Sequence, residues 1–265
     1  MKKKTGFSVA GAIVALAIVA FLGAATYLVV DGNNKATNFN DYNFYSVIKA
    51  DTHNGYISDH IKGYDEATGT VTDNPEIAGK APVIIYEYAD YQCSGCAGMN
   101  ENLNDIIIAL EGKLSIVYRS FLLSYHTNAT AAASAAEAAG LQGYWKAYAD
   151  KLFSEQGEWF YATGSERGDL FNKYFVEVTE GKGDLEKFNS DIASENVSKK
   201  ISFDMGIGQR MDIDSTPSLF IDGQKIDLTG GSITINGQTF TWEKNMTKSQ
   251  LTELITNIVE AKLAS

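Results

Sequence analysis

Cys93 and Cys96, the only two cysteines of the chain, stand three residues apart where the hydrophobic pattern changes period. Before them, Ala81 to Tyr88 (APVIIYEY) is a short apolar run rich in β-branched and aromatic residues, the pattern of a buried central strand. After them, Cys96, Met99, Leu103, Ile106, Ile107 and Leu110 recur at helical spacing. The segment Asp90-Tyr91-Gln92-Cys93-Ser94-Gly95-Cys96 therefore joins a strand to a helix, with Cys93 at the helix N-terminus. Leu114 to Phe121 (LSIVYRSF) reads as a second core strand, and the helix between the two makes a βαβ unit.

The rest of the body extends this unit. From Thr130 to about Lys200 the pattern is helical throughout, and Ala131 to Gly140 is dense in alanine, which lets helices approach closely. Tyr144, Tyr148 and Leu152 form one apolar stripe; Phe171, Tyr174 and Phe175 form part of another. Ser218 to Ile221 reads as a strand followed by the turn signal Asp222-Gly223. Ser232–Ile235 and Gln238–Thr241 flank a second such signal, Asn236-Gly237. Thr247 and Gln250 make a capping box that opens a final helix, with Leu251, Leu254, Ile255 and Ile258 on one face. The sequence thus predicts one α/β domain over residues 81–265, with a helical insertion at about 130–200. Hydrophobic residues make up 45% of the chain, enough for a core that needs no disulfide staples.

Two cysteines in one short motif suggest chemistry rather than stapling. Thiol–disulfide exchange needs a thiolate attacker, and an ordinary cysteine is mostly protonated at neutral pH. A helix N-terminus offers unpaired N–H groups and a partial positive charge, both of which favour the anion. Cys93 is therefore the expected nucleophile. Cys96 lies one turn on, along the buried face, within disulfide range, and is the expected resolving thiol. Between them, Ser94 and Gly95 form an uncharged dipeptide. Glu87 interrupts the apolar strand six residues before Cys93; a carboxyl buried there would titrate high and could take the Cys96 proton. A solvated Glu87 in a wet cavity is the competing reading. In Ser215-Thr216-Pro217-Ser218, Pro217 opens a core strand. A cis bond there would free a backbone edge for a substrate strand. The residues alone favour the commoner trans form. Other chemistries stay open: a metal-binding or delivery module using the cysteines with one of His53, His60 or His126, or a structural disulfide. A zinc site wants four ligands, and a disulfide closing so short a loop stabilises little.

The N-terminus points to a compartment. Lys2, Lys3 and Lys4 precede Gly6–Val30, a run of 25 residues without a charge. About 20 apolar residues span a bilayer core, so residues 1–30 are expected to be a cytoplasmic tip and a transmembrane signal anchor rather than a cleaved signal peptide. No cysteine closely follows the run, which excludes a lipoprotein anchor. With the lysines cytoplasmic, the body lies outside the membrane, where disulfides persist. Residues 31–80 are polar and turn-rich and are expected to be mainly a tether, with one short helix near Tyr42–Lys49. From residue 31 onward the chain carries 19 basic and 33 acidic residues, a net charge of −14. Such an acidic body argues against nucleic acid as a partner.

Three stretches together resemble the thioredoxin superfamily, and within it the DsbA-like thiol:disulfide oxidoreductases. One runs from Glu87 through Asp90 to Cys96. The next comprises Phe121-Leu122-Leu123, His126, and the alanine run to Gly140 with Gln142-Gly143. The third is Ser215-Thr216-Pro217-Ser218-Leu219-Phe220-Ile221-Asp222-Gly223-Gln224. The resemblance covers roughly Ala81 to Ser265. It implies a thioredoxin-like fold with an inserted helical domain and a cis bond at Thr216–Pro217. It places Glu87 at the buried acidic position and gives Cys93 and Cys96 the nucleophile and resolving roles. It implies an enzyme that introduces disulfides into reduced, unfolded exported proteins; residues 31–80 look too polar and irregular to supply the dimerisation domain usual in the superfamily's isomerases, which favours a monomer. It implies reoxidation by a membrane partner of the DsbB or vitamin K epoxide reductase type. No dissociable cofactor is expected, since the Cys93–Cys96 disulfide is itself the redox group. The chain departs from the best-known oxidases in having Ser94-Gly95 where they have Pro-His, so an isomerase or reductase role is the alternative direction.

Overall fold

A computed structural model of the chain describes residues 56–57, 64–65, 70–71, 83–110, 113–221 and 224–264. The expected membrane anchor and the helix near Tyr42–Lys49 lie outside these residues. Among the described residues no helix is long and apolar enough to cross a membrane.

The apolar run before the cysteines forms strand β4 (Val83–Ala89), buried along its whole length. It is followed by helix α1 (Ser94–Ala109) and strand β5 (Leu114–Ser120), and β4 and β5 are parallel in register Glu87↔Tyr118. This is the βαβ unit that the periodicity predicts. On the other side β4 pairs antiparallel with β6 (Ser218–Ile221), which pairs with β7 (Gln224–Ile226) in register Ile221↔Gln224. The turn signal Asp222-Gly223 falls between these strands and outside the described residues. The five-stranded sheet is completed by β1 (Tyr56–Ile57), parallel to β5 at the opposite edge. The sheet thus begins before Ala81, inside the polar 31–80 segment, which also holds a small antiparallel pair, β2 (Tyr64–Asp65) and β3 (Thr70–Val71). Two-residue strands carry too little periodicity to be read from sequence.

Alternation along β4 splits the core in two. Val83, Ile85 and Ala89 face α1 together with Leu114, Ile116, Tyr118, Leu219 and Ile221. Ile84, Tyr86 and Tyr88 face the other way, with Val117, Phe121, Phe203, Ile207 and Phe220. With period 2, Glu87 must lie on the α1 face, beneath the cysteine helix.

Six helices separate β5 from β6: α2 (Ala129–Gly140), α3 (Trp145–Ser154), α4 (Gln156–Trp159), α5 (Gly164–Val178), α6 (Leu185–Ile192) and α7 (Glu195–Arg210). The insertion runs ten residues beyond the expected end, to Arg210 at the close of α7. A Cβ at Gly208 would overlap the Phe121 ring and lie 3.3 Å from that of Tyr88. Glycine there allows α7 to pack directly on the sheet. After the sheet come a hairpin, β8 (Gly230–Ile235) and β9 (Gln238–Glu243), and helix α8 (Lys248–Leu263). Asn236 and Gly237 turn the hairpin with φ of 50° and 81°, as a tight primed turn requires. Both halves of the Thr247–Gln250 capping box form.

Candidate active site

Cys93 occupies the N-cap of α1 with extended backbone (φ −80°, ψ 121°), so its side chain stands at the mouth of the helix. It is half-buried, while Ser94 and Gly95 are exposed. Cys96, one turn on, is fully buried beside Met99 and Leu103. The i, i+3 spacing that puts both sulfurs on one side of the helix also puts them in different environments. Both are present as thiols.

The environments drive the two thiols apart. A hydrogen bond from the Cys96 thiol is the largest influence on Cys93. The Thr216 side chain and the backbone N–H groups of Cys96 and Gly95 add to it, against partial desolvation, and the Cys93 pKa falls to about 5. Burial pushes Cys96 far in the other direction, and donating its proton to Cys93 raises it further. At neutral pH the geometry therefore holds a Cys93 thiolate and a Cys96 thiol. No charged side chain between the cysteines is needed for this; the helix start and the neighbouring thiol suffice.

The loop before β6 closes the site. The Thr216–Pro217 bond is cis, as the resemblance implies and against the bare preference for trans. In its thiol form Cys93 donates to the Thr216 carbonyl, with Sγ 3.4 Å from the oxygen. A Cβ at Gly95 would lie 3.3 Å from Pro217 Cδ and 3.7 Å from Cys93 Sγ. Gly95 thus lets the proline loop approach the cysteines closely, which the sequence alone does not reveal.

Glu87 is 1% exposed on the α1 face of β4, and its Oε1 has no hydrogen-bond partner among the described residues. Desolvation raises its pKa to about 8, partly offset by the positive charge of Lys146. Glu87 in turn is one of the charges that hold Cys96 protonated. A carboxyl that titrates close to neutrality beneath the buried thiol can accept or return the Cys96 proton.

Two partners of the motif escape sequence reasoning. Asp90, fully buried, accepts from the backbone N–H of Gln92 (2.8 Å) and of Leu123 (2.9 Å) and pairs with His126 Nδ1 (2.8 Å). Its own N–H donates to Cys96 Sγ at 3.4 Å. Asp90 thus ties the cysteine loop to the segment after β5, and His126 serves this junction rather than the cysteines. His53 and His60 lie outside the described residues. Gln92 accepts from Asn128 N (2.7 Å) and donates to Phe160 O (2.9 Å), fastening the same loop to the helical insertion. The stretch carrying His126 marks this junction in sequence, but its partners lie some 36 residues away.

A half-buried low-pKa thiol, a buried high-pKa thiol and a cis-proline loop thus meet on a thioredoxin-like fold with a helical insertion. The thioredoxin family model matches residues 78–257, and the chain belongs to that family. Among solved structures, Wolbachia pipientis α-DsbA1 superposes with a TM-score of 0.52 at 21% identity, covering 70% of this chain and 89% of that one. A variant of the same protein gives the same score, covering 90% of that chain. Curated relatives carry a different name. The Na(+)/H(+) antiporter NhaA 1 of Mycolicibacterium vanbaalenii is 30% identical over 156 residues, which is 57% of this chain and 24% of that protein. The chain spans about a quarter of the length of the curated relatives it matches, and the transport in their name is a property of those proteins.

Proposed function

We propose that the chain introduces disulfide bonds into reduced, unfolded exported proteins through the Cys93–Cys96 pair, on the outer side of a membrane to which residues 1–30 anchor it. The observation that carries this reading is the asymmetry of the two thiols. A Cys93 thiolate stabilised at neutral pH favours the reduced enzyme, and so favours handing the disulfide to a substrate. A substrate thiolate attacks Cys93 Sγ, the Cys93–Cys96 bond breaks, and Cys96 leaves and takes a proton from Glu87. A second substrate thiolate then attacks the substrate sulfur of the mixed disulfide and releases Cys93 as thiolate. The dithiol so formed needs an electron acceptor, for which a membrane partner of the DsbB or vitamin K epoxide reductase type fits the expected location. The uncharged Gly6–Val30 run and the lysines before it support that location.

The test is oxidation of a reduced, unfolded disulfide protein by the full-length chain in its disulfide form. Cys93→Ala is expected to abolish turnover. Cys96→Ala, given a substrate protein whose disulfides are already formed, is expected to accumulate a covalent adduct through Cys93, visible on non-reducing gels, because the Cys93 thiolate opens a substrate disulfide, releasing a substrate thiolate, and no intramolecular thiol resolves the product. Full activity in Cys93→Ala, or no adduct in Cys96→Ala, defeats the reading. Equilibration with glutathione decides direction: a disulfide less oxidising than that of glutathione makes the chain a reductase instead.

A further inference from the structure

Glu87 sits in a closed polar cluster that the exchange chemistry above does not fully use. Tyr118 is opposite it on β5 and Leu219 opposite it on β6. Glu87 acts electrostatically on Cys96 and Tyr91, and the Tyr91 and Tyr118 rings stack at 5.1 Å. Tyr118 also meets Trp145, at the start of α3, with ring centroids 5.3 Å apart. The hydroxyls of Tyr91 and Tyr118 are buried within the cluster. Glu137 of α2 acts electrostatically on Tyr91, and Asp90 on Tyr118. The residues of α8 that pack inward are apolar.

The cation acting on Glu87 comes from the insertion. Lys146, adjacent to Trp145 on α3, is 4% exposed, which a lysine tolerates only when its charge is compensated. Its ammonium pairs with Asp150, one turn along α3, whose side chain is 40% exposed. The same Asp150 oxygen accepts from Asn100 Nδ2 (2.8 Å) and Asn104 Nδ2 (3.2 Å), both on α1, the helix that carries the cysteines. One carboxylate at the surface thus binds the cysteine helix and the buried lysine at once.

We infer that Lys146, held by Asp150, is a positioning residue that sets the charge of Glu87 and through it the rate at which Cys96 resolves a mixed disulfide. This inference rests on the reading of Glu87 as the proton acceptor. In the resolving step the Cys96 proton passes to the Glu87 carboxylate. The Cys96 sulfur attacks Cys93 Sγ, the bond from Cys93 to the substrate sulfur breaks, and the substrate leaves as thiolate. The step therefore runs on the ionised fraction of Glu87. The Lys146 charge raises that fraction, and Asp150, by neutralising the lysine, restrains it. The helical insertion, remote from the cysteines in sequence, is thus wired into their proton chemistry.

The two partners make opposite predictions, which a loosened structure would not. The measurement is the rate at which the full-length chain, loaded as a mixed disulfide with glutathione, releases glutathione between pH 5 and 10. Lys146→Met is expected to move the alkaline rise in that rate to higher pH by about one unit or more. Asp150→Asn is expected to move it to lower pH. Lys146→Arg and Asp150→Glu are expected to restore the original profile. Carboxyl infrared absorption, assigned with Glu87→Gln, reads the same shifts directly and independently of the rate. Shifts in the same direction, or none, overturn the role of Lys146 and Asp150. If Glu87→Gln itself leaves the profile unchanged, the proton-acceptor reading is what fails.

Discussion

The asymmetry of Cys93 and Cys96 has consequences for stability that are separable from turnover. The Cys93 thiol titrates at about 5 instead of 9, so the reduced fold gains stability above that range and loses it as pH falls through about 5. The disulfide form has no such group. The melting temperature of the reduced protein is therefore expected to exceed that of the oxidised protein at pH 7, and the gap to close toward pH 4. Calorimetry of both forms checks this, and a gap independent of pH would remove the thiolate as its cause. Glu87 works with the opposite sign. Its folded pKa of about 8 lies above the ordinary 4.5, so its contribution is fully present below about 4.5 and is lost as pH rises toward 8. Glu87→Gln is expected to raise stability at pH 7 by on the order of 2 kcal/mol while slowing exchange. Urea titration of the variant at pH 5 and pH 7 tests the sign: the gain must be larger at pH 7. The positions of Cys93, Cys96 and Glu87, to which we assign nucleophile, resolving thiol and acid, are legible in sequence, because each rests on local position in a strand–loop–helix unit. Asp90, Lys146 and Asp150 are not, since what gives them meaning is a partner on another element.

At the scale of elements, periodicity identifies what is long and amphipathic and misses what is short or tightly packed. α1, β4, β5, the β8–β9 hairpin and the capped α8 stand where apolar spacing and turn chemistry predict them. Tyr56–Ile57 offers no period at all, and it becomes a strand only because the edge of β5 is there to receive it. The end of α7 is obscured because glycine in a helix ordinarily signals a break, whereas Gly208 fills a close contact with Phe121. Two glycines in helices make this distinction measurable. Gly98 is exposed in α1, and a Cβ added there would meet nothing within 4 Å, so Gly98→Ala is expected to stabilise by about 0.5–1 kcal/mol through helix propensity. Gly208→Ala drives a methyl group into the Phe121 ring and is expected to destabilise by about 1–3 kcal/mol. Both are read from denaturant midpoints at constant slope, and equal effects of the two substitutions would refute the packing account of Gly208.

At the scale of the whole molecule, the helical insertion must be held to the sheet firmly enough for α3 to keep Asp150 on the asparagines of α1. The fastening is ionic and buried. Arg119 of β5 donates to Asp204 Oδ1 at 3.2 Å, Ser120 N donates to Asp204 Oδ2 at 3.1 Å, and Lys200 pairs with Asp204 at 2.6 Å and with Glu137 of α2 at 3.5 Å. Arg119, Lys200, Asp204 and Glu137 are all at most 1% exposed. The Arg119 guanidinium also lies 5.6 Å from the centre of the Tyr86 ring and 5.8 Å from that of Phe203. Elements distant in sequence thus meet at one carboxylate, and no local pattern announces it. Burying these charges is itself unfavourable, so the network adds little net stability over an apolar core; removing one member, though, leaves the others charged and uncompensated. Asp204→Asn keeps the shape of the side chain and removes its charge, leaving Arg119 and Lys200 facing a neutral amide. It is expected to destabilise by about 3–5 kcal/mol. Asp214→Asn, on the exposed Asp214, is expected to change stability by less than about 0.5 kcal/mol. Because Asp204 reaches β5 rather than the cysteines, the Cys93 pKa of the folded Asp204→Asn protein should stay near 5. Thiolate absorbance measured well below the denaturation midpoint tests that, alongside urea unfolding for the stability. A large loss of stability with an unchanged Cys93 pKa separates the device that holds the insertion in place from the residues that carry the redox chemistry; a Cys93 pKa that moved with the network would join them into one.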